Sequence, residues 1–325
     1  MMKARTLLKG FAAGLALAAS TWAAAATDYP TQPVTIMVPF STGGQFDTVG
    51  RLIGQFAAKK LGQSVIIENV SGGGGNIGAA KVARAKPDGY TLLTLGGNHT
   101  VSDALYANPG YNVLKDFSPI SLVTVSPHVV LVNSNFPVKT FDELVKYSKA
   151  HPNSVTYGTP GIGTSMHLTF EMIKKHYGLS ALHVPYRGGS KMLMDLEGGQ
   201  VNVGIVAVAP ALQALKTGRV RALAVTSKER SPALPDVPAL AEIGYPSLDA
   251  GSWLGIVGPK GMPEAAVSRW NEVLKEMVND PTMKQKLESL GFRVEHTTPE
   301  QFAKFIKSEH DTYGEVVKSN HISAQ

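Results

Sequence analysis

The chain has 325 residues, of which 43% are hydrophobic and 17% charged, and it contains no cysteine. Three of the basic residues behind its formal charge of +6 lie within the first nine positions, and the remainder carries 28 basic against 25 acidic residues. Because the excess of basic over acidic residues is small and the basic residues do not cluster, the composition argues against a nucleic-acid partner. The lack of cysteine excludes disulfides.

The first 26 residues have the pattern of a secretory signal peptide. A short basic stretch precedes the apolar run 10–19, which is too short to span a bilayer, and small residues up to Ala26 offer cleavage sites. We expect cleavage near Ala26, with an uncleaved interfacial anchor as the alternative. No cysteine follows for lipid attachment and no later run is long enough to cross a membrane, so we expect export to the periplasm.

Short β-rich runs then alternate with amphipathic helical runs, which favours an α/β fold. The first half is predicted to contain strands 34–38, 64–69 and 91–95, with helices 47–61 and up to residue 85. After a middle region, the second half is predicted to contain helices 140–150, 164–177, 190–196 and 209–217 and strands 155–159, 183–186, 201–206 and 221–226. Three helices end the chain, at 264–278, 283–290 and from Thr298 to about residue 318. Two sets of strand–loop–helix units predict two lobes with mainly parallel sheets and a cleft between them.

The first candidate site is the loop from Phe40 to Asp47, which follows a buried strand and precedes a helix. Gly43 and Gly44 allow the backbone to bring N–H groups close to a ligand, and the helix N-terminus favours an anion such as a carboxylate. Asp47 is interpreted either as the N-cap of that helix or as a direct ligand contact, and the two roles are compatible.

A second loop of the same form lies in the other half. It contains Gly161 and Gly163 followed by Thr164 and Ser165, whose hydroxyls are expected either to cap the next helix or to donate to a bound carboxylate. Two such loops facing each other could hold one anion without a buried lysine or arginine.

The sequence gives less support for dinucleotide binding, hydrolysis or metal binding. The spacing Gly73-x-Gly75-x-x-Gly78 matches the dinucleotide-binding motif G-x-G-x-x-G. That motif also needs an acidic residue about 20 residues further along the chain, and only Asp103 lies near that position. No hydrolase, phosphate-loop or metalloprotease motif occurs, and the nine histidines lack metal-ligand spacing, so neither a cofactor nor a metal is expected. Ser165 and His167 would be a conceivable hydrolase pair, but side chains two positions apart on a helix diverge, so we expect His167 to be packed.

The order of short motifs along the mature chain resembles the extracytoplasmic solute receptors of the tripartite tricarboxylate transporter family, the Bug (TctC-like) proteins. The motifs are Pro39-Phe40 through Asp47, Glu68-Asn69, 74–78, 87–93, 115–117, 161–164 with 167–168, 183–186, 198–201, 221–225, 234–238 and 298–300.

The resemblance implies a type II periplasmic binding protein, a Venus flytrap that is a receptor and not an enzyme. It implies that residues 27–126 and 250–325 form lobe 1 and that residues 127–249 form lobe 2. It also implies a small carboxylate ligand and permease subunits as partners of a monomeric receptor; a sensor that presents its closed form to a membrane receptor kinase is the alternative. The ligand-binding residues implied are Phe40, Ser41, Gly43, Gly44, Asp47, Asn76, Gly161, Gly163, Thr164, Ser165 and Ala207.

Two segments depart from the family pattern. Gln45 and Phe46 replace smaller residues after the glycine pair, and the strand end Val206–Ala209 lacks a polar residue that many members carry. Both changes make the far end of the pocket bulkier and less polar. We therefore hypothesise a ligand with one carboxylate and a less polar remainder, such as an aromatic ring.

Overall fold

The computed structural model describes residues 29–186, 188–245, 248 and 250–323, so the predicted signal peptide lies outside the described residues. Within these ranges the strands are β1 (Val34–Val38), β2 (Val65–Asn69), β3 (Thr91–Gly96), β4 (Phe117–Asn133), β5 (Thr156–Thr159), β6 (Leu182–Pro185), β7 (Val203–Ala207), β8 (Val220–Val225), β9 (Gly251–Pro259) and β10 (Arg293–Val294). The α-helices are α1 (Gln45–Leu61), α2 (Asn76–Ala83), α3 (Gly97–Thr100), α4 (Ser102–Leu105), α5 (Phe141–Ala150), α6 (Ser165–Tyr177), α7 (Gly189–Glu197), α8 (Val208–Leu215), α9 (Glu264–Asn279), α10 (Pro281–Ser289) and α11 (Pro299–Ser319).

The two sheets share strand β4, and their strands follow one another in corresponding orders. In the first sheet the order is β2-β1-β3-β9-β4, with β10 also paired to β4, and in the second sheet it is β6-β5-β7-β4-β8. Residues 117–127 of β4 pair with β9, whereas residues 128–133 pair with β7 and β8. The chain thus passes from one sheet to the other at Pro127–His128, and it returns where β9 begins at Gly251.

Each sheet is mixed, whereas mainly parallel sheets were predicted. The strands β1, β2 and β3 are parallel to one another, as are β5, β6 and β7, but β9 is antiparallel to β3 and β4 is antiparallel to β7. The cause is the direction of the two crossing strands. A strand that enters a sheet from the edge where the parallel strands end must run against them.

The core is layered on both faces of each sheet, and alternate residues of one strand face different layers. Ile36 packs in one cluster with Trp270 of α9, and its neighbour Met37 packs in another cluster with Phe302 of α11. Further along α11, Tyr313 packs in a cluster of the second sheet. The C-terminal helix therefore contacts both halves of the molecule.

The predicted helix boundaries follow the capping chemistry. The Thr298 hydroxyl accepts from the Gln301 N–H, and the Gln301 side chain accepts from the Thr298 N–H. Thr140 caps α5, but Glu143 accepts from the Lys139 N–H and not from the Thr140 N–H, so only one half of a capping box is formed. Among the described residues, no helix combines the length and apolar character needed to cross a membrane.

Candidate functional site

The first glycine loop is held by Asp47 from inside the helix. The N-cap of α1 is Gly44, so Asp47 lies in the first turn, and the prediction that it is the N-cap is wrong. Its buried carboxylate accepts hydrogen bonds from the Gly43 N–H at 2.9 Å, Asn69 Nδ2 at 3.0 Å and Arg51 Nε at 3.0 Å. Burial alone would raise the pKa of Asp47, but the hydrogen bonds from Arg51, Gly43 and Asn69 lower it. Asp47 therefore fixes the shape of the loop.

The loop leaves hydrogen-bond donors exposed at the start of α1. Residues 41–44 are exposed, and Gly43 has a φ of 84°, which favours glycine. The first hydrogen bond of the helix is donated by the Thr48 N–H to the Gly44 carbonyl, so the N–H groups just before Thr48 have no partner within the helix. Because such groups and the helix dipole attract anions, this end of α1 suits a carboxylate.

Two aromatic rings cover one side of the loop. The rings of Phe40 and Phe46 lie 4.6 Å apart between centroids, and a β carbon at Gly96 would overlap the Phe46 ring. The neighbouring Gln45 places its Nε2 out of contact with solvent and without a hydrogen-bond partner among the described residues. The loop therefore combines an apolar wall with one unsatisfied amide donor.

In the second loop the Thr164 hydroxyl serves as the helix cap. It accepts from the His167 N–H at 3.3 Å and lies 2.9 Å from the Gly161 carbonyl, to which it donates. Gly163 has a φ of 73°, and its N–H donates to His167 Nδ1 at 3.1 Å. Of the two alternatives for Thr164, the structure favours the capping role. Ser165, the first residue of α6, is half-buried.

His167 is packed, as expected. Its ring stacks on that of His183 with 3.9 Å between centroids, and burial lowers the pKa of His167 to about 4. The residue that Ser165 faces is instead His128, whose Nε2 lies 3.3 Å from Ser165 Oγ. Sequence reasoning missed this contact because the two residues are 37 positions apart.

Both loops meet a third segment that the sequence prediction overlooked. A β carbon at Gly97 would lie 3.9 Å from Ser165 Cβ and 3.3 Å from Trp253 Nε1, and the Leu105 side chain occupies the space beside Gly163. Segment 96–105 therefore lies between the two loops. The sequence did contain a signal for this segment, because the predicted strand 91–95 is followed directly by the glycine pair Gly96-Gly97, just as the two glycine loops follow their strands.

Two of the predicted site residues, Asn76 and Ala207, have structural roles within the fold. The Oδ1 atom of Asn76 accepts from Ser102 Oγ at 2.7 Å and from the Tyr111 hydroxyl at 2.8 Å, so it ties α2 to the segment beyond β3. Ala207 is buried at the end of β7, opposite His128 in the β4 register, and it offers only backbone groups.

A cavity of about 230 Å³ lies beside the crossing strands, and its wall includes Ser252, whose Oγ lies 3.2 Å from Ser165 Oγ at the second glycine loop. Its walls include Ser126, Pro127, Arg230, Gly251, Phe292 and Glu309. The Nε atom of Arg230 donates hydrogen bonds to the carboxylate of Glu242. No group of three or more metal-ligating side chains occurs in the part of the chain that the structure describes.

Comparisons with known proteins converge on one family. The model of the "Tripartite tricarboxylate transporter family receptor" matches residues 49–322. Protein BugT of Bordetella pertussis is 32% identical over 295 residues, which cover 90% of each chain. The structure of Rpa4515 of R. palustris with adipate aligns with a TM-score of 0.81 and 31% identity over 91% of this chain and 100% of that one. MatC from Rhodopseudomonas palustris with bound malate aligns with a TM-score of 0.77 and 32% identity, covering 89% and 100%.

Proposed function

Since this chain belongs to the tripartite tricarboxylate transporter receptor family, whose members are solute-binding receptors and not enzymes, we propose that it captures a small organic carboxylate in the periplasm. It then presents the ligand to the permease subunits of a tripartite secondary transporter. Two relatives of the same fold hold adipate and malate, which supports a carboxylate as the ligand.

The observation that carries this proposal is the pairing of two helix N-termini without a lysine or arginine in either loop. The exposed loop before α1 supplies backbone N–H groups and the Ser41 hydroxyl, and α6 begins at the half-buried Ser165. Both loops border the segment 96–105. Such groups recognise a carboxylate by geometry and dipole, and they do not attract a cationic ligand.

The lobes of the proposed receptor are residues 27–126 with 250–325, and residues 127–249. The strand pairing supports these boundaries, because β4 changes sheets at Pro127–His128 and β9 begins at Gly251. The ligand bridges the two loops, and the lobes close around it by hinge motion at the two crossings. We propose that the receptor acts as a monomer.

The unsatisfied amide of Gln45 refines the expected ligand. The Phe40–Phe46 wall suits an apolar body, in keeping with the hypothesis drawn from the sequence. A buried amide donor without a partner is costly, and a ligand that carries a hydrogen-bond acceptor would satisfy it. We therefore propose a ligand with one carboxylate at the helix termini, a short apolar body and a second acceptor, as in a dicarboxylate.

A thermal-shift screen of residues 27–325 tests this function. The panel contains malate, adipate, citrate, benzoate, nicotinate and the diamine that matches adipate in length. A ligand at 100 times its Kd should stabilise the folded state by about 2.7 kcal/mol, and we expect this only with acids. Gly97→Val, which adds a branched side chain where the loops meet, should abolish the shift, whereas Gly314→Ala, far along α11, should retain it. A shift with the diamine, or equal shifts with Gly97→Val, would contradict the proposal.

A further inference from the structure

A chain of buried hydrogen-bonding groups lies behind Ser165. Ser165 Oγ lies 3.3 Å from His128 Nε2 and 3.2 Å from Ser252 Oγ, and Ser252 Oγ is itself 3.0 Å from His128 Nε2. On the other side of the imidazole, His128 Nδ1 lies 3.1 Å from Thr169 Oγ1, which is 3.5 Å from the Tyr313 hydroxyl. The chain therefore runs from the C-terminal helix α11 to the first residue of α6.

The imidazole in the middle of this chain has only one proton to share. His128 is wholly buried, and burial lowers its pKa to about 3, so the ring is neutral at physiological pH. A neutral imidazole donates from one nitrogen and accepts at the other. The group that faces Nδ1 therefore decides whether Nε2 donates to the two serines or accepts from them.

We propose that Tyr313, Thr169 and His128 are positioning residues that orient the Ser165 hydroxyl as a hydrogen-bond donor to the ligand carboxylate. This inference rests on the proposed function. An ionised carboxylate has only acceptors, so Ser165 serves it only when its own proton points toward the ligand. That orientation requires Ser165 Oγ to accept a hydrogen bond from behind.

One direction of the chain meets this requirement throughout. The Tyr313 hydroxyl donates to Thr169 Oγ1, the Thr169 hydroxyl donates to His128 Nδ1, and His128 Nε2–H donates to the serine pair. In the opposite tautomer, Nε2 would accept a hydrogen bond from a serine, and it would compete with the ligand for the Ser165 proton. When the Thr169 hydroxyl donates to Nδ1, Nε2 carries the proton and Ser165 is free to donate.

The chain also joins the two halves of the molecule. Ser165 and Thr169 belong to α6 beside the second sheet, whereas Ser252 lies on β9 of the first sheet and Tyr313 on the bridging helix α11. The groups that orient Ser165 are therefore complete only when the halves are in contact, which couples the donor geometry at the ligand to closure.

Two threonines of the protein, one inside this hydrogen-bond chain and one outside it, provide a matched test. Thr169 and Thr124 are both fully buried, but Thr124 Oγ1 has no hydrogen-bond partner among the described residues. By calorimetric titration with the carboxylate that binds the wild type, Thr169→Val should weaken binding about tenfold, the cost of one hydrogen bond to a charged group. Thr169→Ser, which keeps the hydroxyl, and Thr124→Val, which removes an idle one, should each bind like the wild type.

Two tyrosines extend the comparison. Tyr313→Phe should weaken binding, whereas Tyr177→Phe should not, because the buried Tyr177 hydroxyl has no partner in the described part of the chain. Nitrogen chemical shifts of the His128 ring give an independent readout, with Nε2 protonated in the wild type and the tautomer altered in Thr169→Val.

The outcomes separate this inference from the proposed function. If the wild type binds no acid, the receptor proposal fails. If the wild type binds but Thr169→Val and Tyr313→Phe bind equally well, or if Nδ1 carries the proton in the wild type, only the positioning role is overturned. Thermal unfolding of each variant establishes whether it is folded, and Tyr313→Phe still decides the matter if Thr169→Val does not fold.

Discussion

At the scale of single residues, the carboxylate of Asp47 holds the first glycine loop from inside helix α1. Its carboxylate is occupied by the Gly43 N–H, Asn69 and Arg51, so it shapes the loop while Arg51 offsets its charge. The sequence located this loop correctly, because a buried strand, a glycine pair and a helix follow in order. It could not show which groups Asp47 meets, since Asn69 lies 22 positions away.

Asp47→Asn should lower the midpoint of thermal unfolding by several degrees and weaken ligand binding, because the amide cannot accept all the hydrogen bonds of the carboxylate. The lowered pKa of Asp47 sets the pH range of the effect. Its contribution is complete above the pKa of the unfolded chain, near 4, and is lost as the pH falls through the lower folded value. Asp142→Asn, which breaks an exposed pair with Lys146, is the control and should change little. Equal effects of the two changes would contradict the role of Asp47.

Gln45→Leu should change affinity and stability in different directions. Removal of a buried, unsatisfied amide should leave the free energy of unfolding unchanged or raised. Loss of a donor to the ligand should weaken dicarboxylate binding about tenfold, with a smaller effect on a monocarboxylate of similar length. Calorimetric titration and urea denaturation measure the two quantities. Unchanged selectivity between the two acids would refute the proposed second contact.

At the scale of helices and strands, capping residues predicted where helices end better than composition predicted where strands lie. Thr164, Thr298 and Gly178 mark helix ends at the positions expected from the sequence. The crossing strands β4 and β9 were not predicted as strands. β4 contains Pro119 and Pro127, which normally interrupt a ladder, and it accommodates them by register shifts and by changing sheets at the second proline.

Gly314 in α11 offers a test of helix propensity. A β carbon at this position would have no neighbour within 4 Å outside the backbone of its own helix, and the residue lies inside a helix. Gly314→Ala should therefore raise the free energy of unfolding by about 1 kcal/mol. Denaturant unfolding measures this change. Destabilisation would mean that the helix is more tightly packed here than the structure indicates.

At the scale of the whole molecule, three buried histidines, His99, His128 and His167, and the half-buried His183 lie around the two loops and the crossing. Burial lowers the pKa of His99 and His167 to about 4 and that of His128 and His183 to about 3. The unfolded chain therefore binds more protons than the folded chain below about pH 6.5, so the free energy of unfolding should fall as the pH decreases from 6.5 to 5. Each histidine adds at most about 1.4 kcal/mol per pH unit.

Urea denaturation at pH 7.5, 6 and 5 measures this dependence. The contribution of Asp47 to stability changes only below about pH 4, outside this interval, and His310, whose pKa is raised by Asp103 and Asp311 despite burial, acts in the opposite direction. A net loss of stability is therefore expected over this interval. A free energy of unfolding that stays constant from pH 7.5 to 5 would contradict the neutral, buried state of these histidines.

We propose that the two glycine loops form one carboxylate site, and calorimetric titration of residues 27–325 tests this. We predict saturable one-to-one binding of at least one short dicarboxylate and no heat of binding from the diamine of equal length. Binding of the diamine, or binding of an acid that is unaffected by Gly97→Val, would contradict the claim.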